Sequence, residues 1–398
     1  MHPATRTIAF VNALHTLTHY ALLILPTAVL GMEGAFGGLD YGVIVALGTA
    51  MFAIYGFGSL PVGWLAGRYG QARLLAANYI GGGLALAACG LAASPITFAI
   101  ALGLAGAFFA IYHPVGTAML VEAAGERVGR AIGLNGVFGN LGVSLAPLAT
   151  AFITAWFGWR VAFIAPGLVC AAIGLLYVLG PQGDGTAAKR PQAVFPDISR
   201  SVAIRAFVVL TLIAVTNGLM FNAVTILLPK LLEERLAGEA GALGLIGLVA
   251  FGVSICGAVT QFTVGRAADR VSLRALFLGL AAMQLPLMLA VIGARGWATV
   301  PLTGLLIASV FGQVTVNDAM LARTVPPALR AKAYAVRFFV GFVGAAAASP
   351  LVGLLHARTG DMQAVLWVLA ATGALTALFA TAFPRLTTAA APRPAPAE

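Results

Sequence analysis

An ionisable side chain inside an apolar helix costs several kcal/mol, about 2.5–3.5 at the centre of a span, so each one is a candidate for chemistry. Five stand out here: His15, His19, His113, Asp318 and Arg337. Asn12, His15 and His19 are spaced by three and four, which puts them on one face of one helix. That spacing suits a polar stripe lining a wet cavity, or a hydrogen-bonded cluster between helices. It also suits two metal ligands, with His113 or Asp318 as a third. His113 stands directly before Pro114, which removes a backbone hydrogen bond and leaves a carbonyl open. Histidine titrates closest to neutrality, so His113 at such a break is read as a substrate or proton site, with a structural interhelical hydrogen bond as the alternative. Asp318 follows Asn317, with Gln313 one turn earlier; it is a proton-carrying carboxylate, or half of an ion pair with Arg323 or Arg337. Arg337 offers a planar fork to an anion, or snorkels to the surface. Tyr112, Asn217 and Asn222 complete the expected substrate-lining set.

The elements that must hold these residues are membrane helices. Sixty per cent of the residues are hydrophobic and 9% charged, with a mean hydropathy of +0.97. Soluble domains carry roughly 25% charged residues. Apolar runs predict twelve spans, at about 7–30, 41–66, 74–92, 95–122, 131–156, 160–180, 205–229, 242–265, 275–294, 298–322, 333–356 and 361–383. Hydrocarbon forces backbone groups to pair internally, which favours helices, and barrel-like alternation is absent. Cys89, Cys170 and Cys256 all fall in apolar runs and read as small hydrophobes. The start, Met1 to Arg6, leads into a first span too polar for a cleavable signal. Most of the 23 lysines and arginines fall on one side of this arrangement. They predict a multi-pass protein of the inner (cytoplasmic) membrane with both termini in the cytoplasm, and they account for the net charge of +10 without nucleic acid. Residues 181–204 read as a polar linker and 384–398 as a disordered, proline-rich cytoplasmic tail.

The chain also repeats itself. Gly63-Trp-Leu-Ala-Gly67-Arg68-Tyr-Gly70-Gln-Ala-Arg73 returns 202 residues on as Gly265-Arg-Ala-Ala-Asp269-Arg270-Val-Ser-Leu-Arg274, and Gly139 and Gly142 return as Gly341 and Gly344. Asn135 takes the position equivalent to Arg337, which favours an inward-facing Arg337. Two halves, 1–180 and 205–383, are the signature of a secondary transporter.

The paired loop after spans two and eight, with Phe157-Gly158-Trp159-Arg160, resembles the major facilitator superfamily over essentially the whole chain. The resemblance implies an all-α fold of two pseudo-symmetric six-helix bundles around a central cavity, working by alternating access. It implies gating roles for Gly63, Arg68, Gly265, Asp269 and Arg270, with Glu122 as partner of Arg68. Gly67 departs from the usual Asp, so Asp269 alone is expected to face a helix N-terminus of the other half. Gly139-Asn140-x-Gly142 and Ala146-Pro147 are similar to a motif of antiporters in that superfamily. Tyr112-His113-Pro114 resembles its fosmidomycin-resistance branch, which exports small anionic phosphonates.

No Gly-Lys-Ser/Thr phosphate loop or catalytic triad is present, so neither ATP-driven transport nor an enzyme is expected. The reading is a monomeric proton-coupled antiporter exporting a small organic anion. His113 or Asp318 carries the proton, and no cofactor or resident metal is assigned. The alternatives are an uptake symporter for an organic acid, or a metal transporter using His15, His19 and His113.

Overall fold

The computed structural model describes residues 3–180, 200–237, 242–268, 270–325 and 327–384. Asp269, most of the expected linker and almost all of the expected tail lie outside the described residues. Among those described, twelve helices are long and apolar enough to cross a membrane. Spans 1 to 6 are Pro3–Gly31, Tyr41–Gly58, Gln71–Leu91, Pro95–Ala124, Arg130–Phe157 and Trp159–Leu179. Spans 7 to 12 are Arg200–Arg235, Leu243–Ala267, Leu273–Gly293, Gly296–Leu321, Phe339–Thr359 and Gln363–Thr381. Span 7 starts at Arg200 rather than at 205, and the helix of span 11 runs from Pro327.

The repeat in the sequence is realised as packing. Spans 1 and 5, 2 and 4, and 3 and 6 pair in the first half; spans 7 and 11, 8 and 10, and 9 and 12 pair in the second. Span 5 packs on span 8 and span 2 on span 11 across the halves. Lipid supplies no hydrophobic drive between helices, so close approach of small residues does the work. A side chain at Gly83 would meet the Gly167 carbonyl, one at Gly42 the Gly353 carbonyl, and one at Gly247 would meet Ala151.

Two arginines counted as topology charges also tie helix ends together. Arg6 donates to the carbonyls of Leu176 (3.2 Å) and Tyr177 (2.7 Å), which end span 6. Arg160 donates to Gly90 and Ala92, each at 2.9 Å, at the end of span 3. Both satisfy carbonyls that lack a helical partner and sit at the negative end of a helix dipole. Gly158, at φ +82°, makes the tight turn that places Arg160.

The two ends of the molecule differ. At the end carrying Gly42 and Gly247 the halves touch. At the opposite end a side chain at Gly63, Gly67, Gly133 or Gly136 would meet nothing within 4 Å. Open space therefore flanks the first repeated loop and the start of span 5, although Phe57 of span 2 still lies 5.7 Å from Phe339 of span 11. Gly265 faces only Thr315 of its own half, and Arg270 is exposed.

The expected Arg68–Glu122 pair is corrected. Arg68 lies over Trp64 and Tyr69, at 5.6 and 5.7 Å from the ring centroids. Glu122 instead accepts from Gln71 Nε2 at 3.1 Å. Gly70, at φ +85°, ends the helix Val62–Tyr69 and turns the chain so that Gln71, not Arg68, faces span 4.

Candidate functional site

Pro114 decides the local shape of span 4. Its ring cannot donate to the preceding turn, and the helix widens into a π turn over Tyr112–Gly116. Span 1 breaks as well, between Leu22 and Leu25, ahead of Pro26. These two irregular helices bring His15, His19 and His113 together, with one ligand nitrogen from each ring within 4.8 Å of the others.

Hydrogen bonds fix the tautomers of the pair on span 1. His15 Nδ1 lies 2.8 Å from the carbonyl oxygen of Asn135, which only accepts, so Nδ1 carries hydrogen. A neutral His15 then has a bare Nε2. His19 Nε2 lies 3.1 Å from it and must donate. His15 is clamped further by the Tyr112 ring, stacked at 4.6 Å.

Behind the histidines sits a buried polar knot that the sequence reading assigned differently. Asn135 Nδ2 donates to Asn12 Oδ1 at 2.9 Å and to the Tyr112 hydroxyl at 2.8 Å. Asn12 and Tyr112 thus bond to Asn135 outside the cavity lining, and the backbone carbonyl of Asn135 holds His15. Replacing Asn135 with Leu would leave Asn12 and Tyr112 buried without that partner, at roughly 1–3 kcal/mol for each group. The expected outcome is a clear drop in the melting temperature of the purified protein, with much less effect from Asn140→Leu in a part-buried position.

A cavity of about 200 Å³ lies between the halves. His19, His113, Phe52 and Tyr55 line it from the first half; Asn217, Asn222, Asn317, Phe221, Arg337 and Phe342 line it from the second. Five of the residues expected from the sequence to bind substrate, outside the first helix, thus face one space. Gln313 is buried outside this lining. The aromatic walls were missed, because an apolar aromatic in an apolar span carries no signal in the sequence. Asn217 is held by Gln284 Nε2 at 3.3 Å, and Asn222 donates to the Gly218 carbonyl at 2.9 Å.

Arg337 faces inward and is buried. Arg337 Nη1 meets Asp318 Oδ1 at 2.7 Å, the only ion pair among the described residues that borders this cavity. Arg337 is one of the two partners expected for Asp318; the side chain of the other, Arg323, lies outside the described residues.

The profile of the Major Facilitator Superfamily matches residues 8–244 and 212–398. The chain belongs to that family. Its twelve membrane-length helices are those of a multi-pass membrane protein. A probable 4-methylmuconolactone transporter of Cupriavidus pinatubonensis is 28% identical over 231 residues, 55% of this chain and 53% of the relative. The niacin transporter NiaP of Acinetobacter baylyi is 29% identical over 174 residues, 38% of each chain. The chain thus spans about half the length, or less, of the curated relatives it matches. In fold it is similar to a bacterial homologue of the human lysosomal transporter Spinster in an inward-facing, occupied conformation. That match has a TM-score of 0.76 and 14% identity, covering 96% of both chains. A D-xylose–proton symporter gives a TM-score of 0.76 at 15% identity, over 94% of this chain and 96% of the other.

Proposed function

We propose that this transporter carries a small organic acid, as its anion, together with a proton. The observation that carries the reading is the Arg337–Asp318 pair beside the cavity. An arginine fork is the group best suited to a carboxylate, and here one carboxylate already occupies it. Protonating Asp318 weakens that pair and releases Arg337 to an anion. Proton and anion then favour each other's binding, which is coupling in the same direction. Relatives named for niacin and 4-methylmuconolactone support a small organic cargo. The aromatic walls suit a ring.

Export by antiport remains the second reading, motivated by the glycine motif of span 5. Packing accounts for much of that motif: a side chain at Gly139 would strike the His15 ring, and one at Gly142 the Thr16 carbonyl. Glycines that let spans 1 and 5 touch say little about direction. The arginine-rich end faces the cytoplasm under the positive-inside bias. Both termini then lie inside. One chain holds the whole cavity, so a monomer suffices.

The test is flux in proteoliposomes under an imposed pH gradient, with nicotinate as cargo and a lumenal pH dye. Nicotinate and protons moving together support symport. Opposite movement restores the antiporter. Nicotinate moving at the same rate with and without the gradient sinks proton coupling.

A further inference from the structure

We propose that His15, His19 and His113 bind one divalent transition-metal ion of the zinc class, and that the anionic cargo supplies its fourth ligand. The inference rests on the organic-anion reading for its fourth ligand only; the three-imidazole site stands on geometry alone.

Three imidazoles converge from two helices, with their ligand atoms within 4.8 Å. The edge of a tetrahedron with zinc–nitrogen bonds of about 2.0–2.1 Å is about 3.3 Å. The His15 and His19 nitrogens already stand 3.1 Å apart. His15 is arranged as metal-bound histidines commonly are. Its Nδ1–H is spent on the Asn135 carbonyl at 2.8 Å, which fixes the tautomer and leaves Nε2 with a free lone pair beside His19 Nε2. Binding asks one change of His19: its hydrogen moves from Nε2 to Nδ1, with no net gain or loss of protons. Imidazole nitrogen selects zinc, cobalt, nickel or copper over calcium and magnesium, which prefer oxygen.

Charge decides what takes the fourth position. Three neutral imidazoles leave the ion its full double positive charge. Asp318, paired with Arg337 at 2.7 Å, is already matched by a cation. His19 and His113 line the same cavity as Arg337. An uncompensated ion in such a space is expensive, whereas an anion from the cavity offsets it. Metal and cargo must therefore bind cooperatively, each raising the affinity of the other by the same factor.

The experiment titrates Co²⁺ into the purified, chelator-treated full chain and reads visible absorption, with and without nicotinate. One equivalent bound with the strong absorption of a tetrahedral ion is expected, lost in His19→Ala and in His113→Ala. Nicotinate should tighten binding and shift the spectrum, and Co²⁺ should tighten nicotinate binding by an equal factor. Weak, octahedral-type absorption, or binding unchanged in both variants, overturns the site. The first of these needs no variant that folds, since the native spectrum alone delivers it. Tetrahedral cobalt with no response to nicotinate overturns the cargo as fourth ligand. Nicotinate flux that persists undiminished after metal removal also overturns that role, while leaving the symport reading untouched.

Discussion

Asp318→Asn should abolish uphill accumulation of cargo under a pH gradient while exchange of labelled for unlabelled cargo continues. The side chain pairs with Arg337 Nη1 at 2.7 Å. Asparagine has nearly the same shape and is permanently neutral, so the variant imitates the protonated state at every pH. In the native protein the sign runs one way. Lowering the pH protonates Asp318, loosens its hold on Arg337 and strengthens anion binding; raising the pH restores the pair and weakens it. The variant should bind cargo with acid-limit affinity across the range, without that slope. Arg337→Ala should instead lose cargo binding, by about tenfold to a hundredfold for a charge-assisted bond of about 1.5–3 kcal/mol. It also strands a carboxylate. The stability loss should fall below the roughly 3–5 kcal/mol seen when a fully buried pair is broken, because the Asp318 side chain is 38% exposed. Binding titrations at several pH values, paired with counterflow in vesicles, separate the two variants. A pH slope that survives in Asp318→Asn would place the coupling proton elsewhere.

Gly42→Leu should open the end of the molecule where the halves now touch. The added side chain would run into the Gly353 carbonyl and the Ala357 backbone on span 11. Backbone cannot move aside as a flexible side chain can, so the clash falls on the spacing between spans 2 and 11. Overpacking typically costs about 1–3 kcal/mol, which shifts a two-state equilibrium by about fivefold to more than a hundredfold. The cost is absent when the halves part at this end, so the population moves towards that state. Spin labels on spans 2 and 11 should report a longer distance, and transport should stall. Gly63→Leu is the matched control, since a side chain there meets nothing within 4 Å. An unchanged distance in Gly42→Leu would mean that this contact does not hold the end shut.

The amino-acid sequence by itself determined the all-helical membrane architecture, the twelve spans and the twofold repeat. Those follow from hydrophobic run length and from residue identities at a fixed offset, and both are local properties of a chain. It also singled out His15, His19, His113, Asp318 and Arg337, because a polar group in hydrocarbon is conspicuous whatever it touches. Tertiary structure decided which of them meet. Asp318 faced two candidate arginines in the sequence, and the packing of span 10 near span 11 pairs it with Arg337. Asn12 shares a helical face with His15, yet Asn135 of span 5 draws it into a knot behind the histidines. Glu122 and Arg68 have complementary charges, but the turn at Gly70 gives Glu122 to Gln71. The aromatic cavity walls, Phe52, Tyr55, Phe221 and Phe342, were invisible for the opposite reason: they match their apolar surroundings in sequence. The tautomer of His15 was beyond any sequence pattern, since a backbone carbonyl 120 positions away sets it. Spacing along one helix fixes direction, but only the crossing of two helices fixes distance, and chemistry at this site depends on distance.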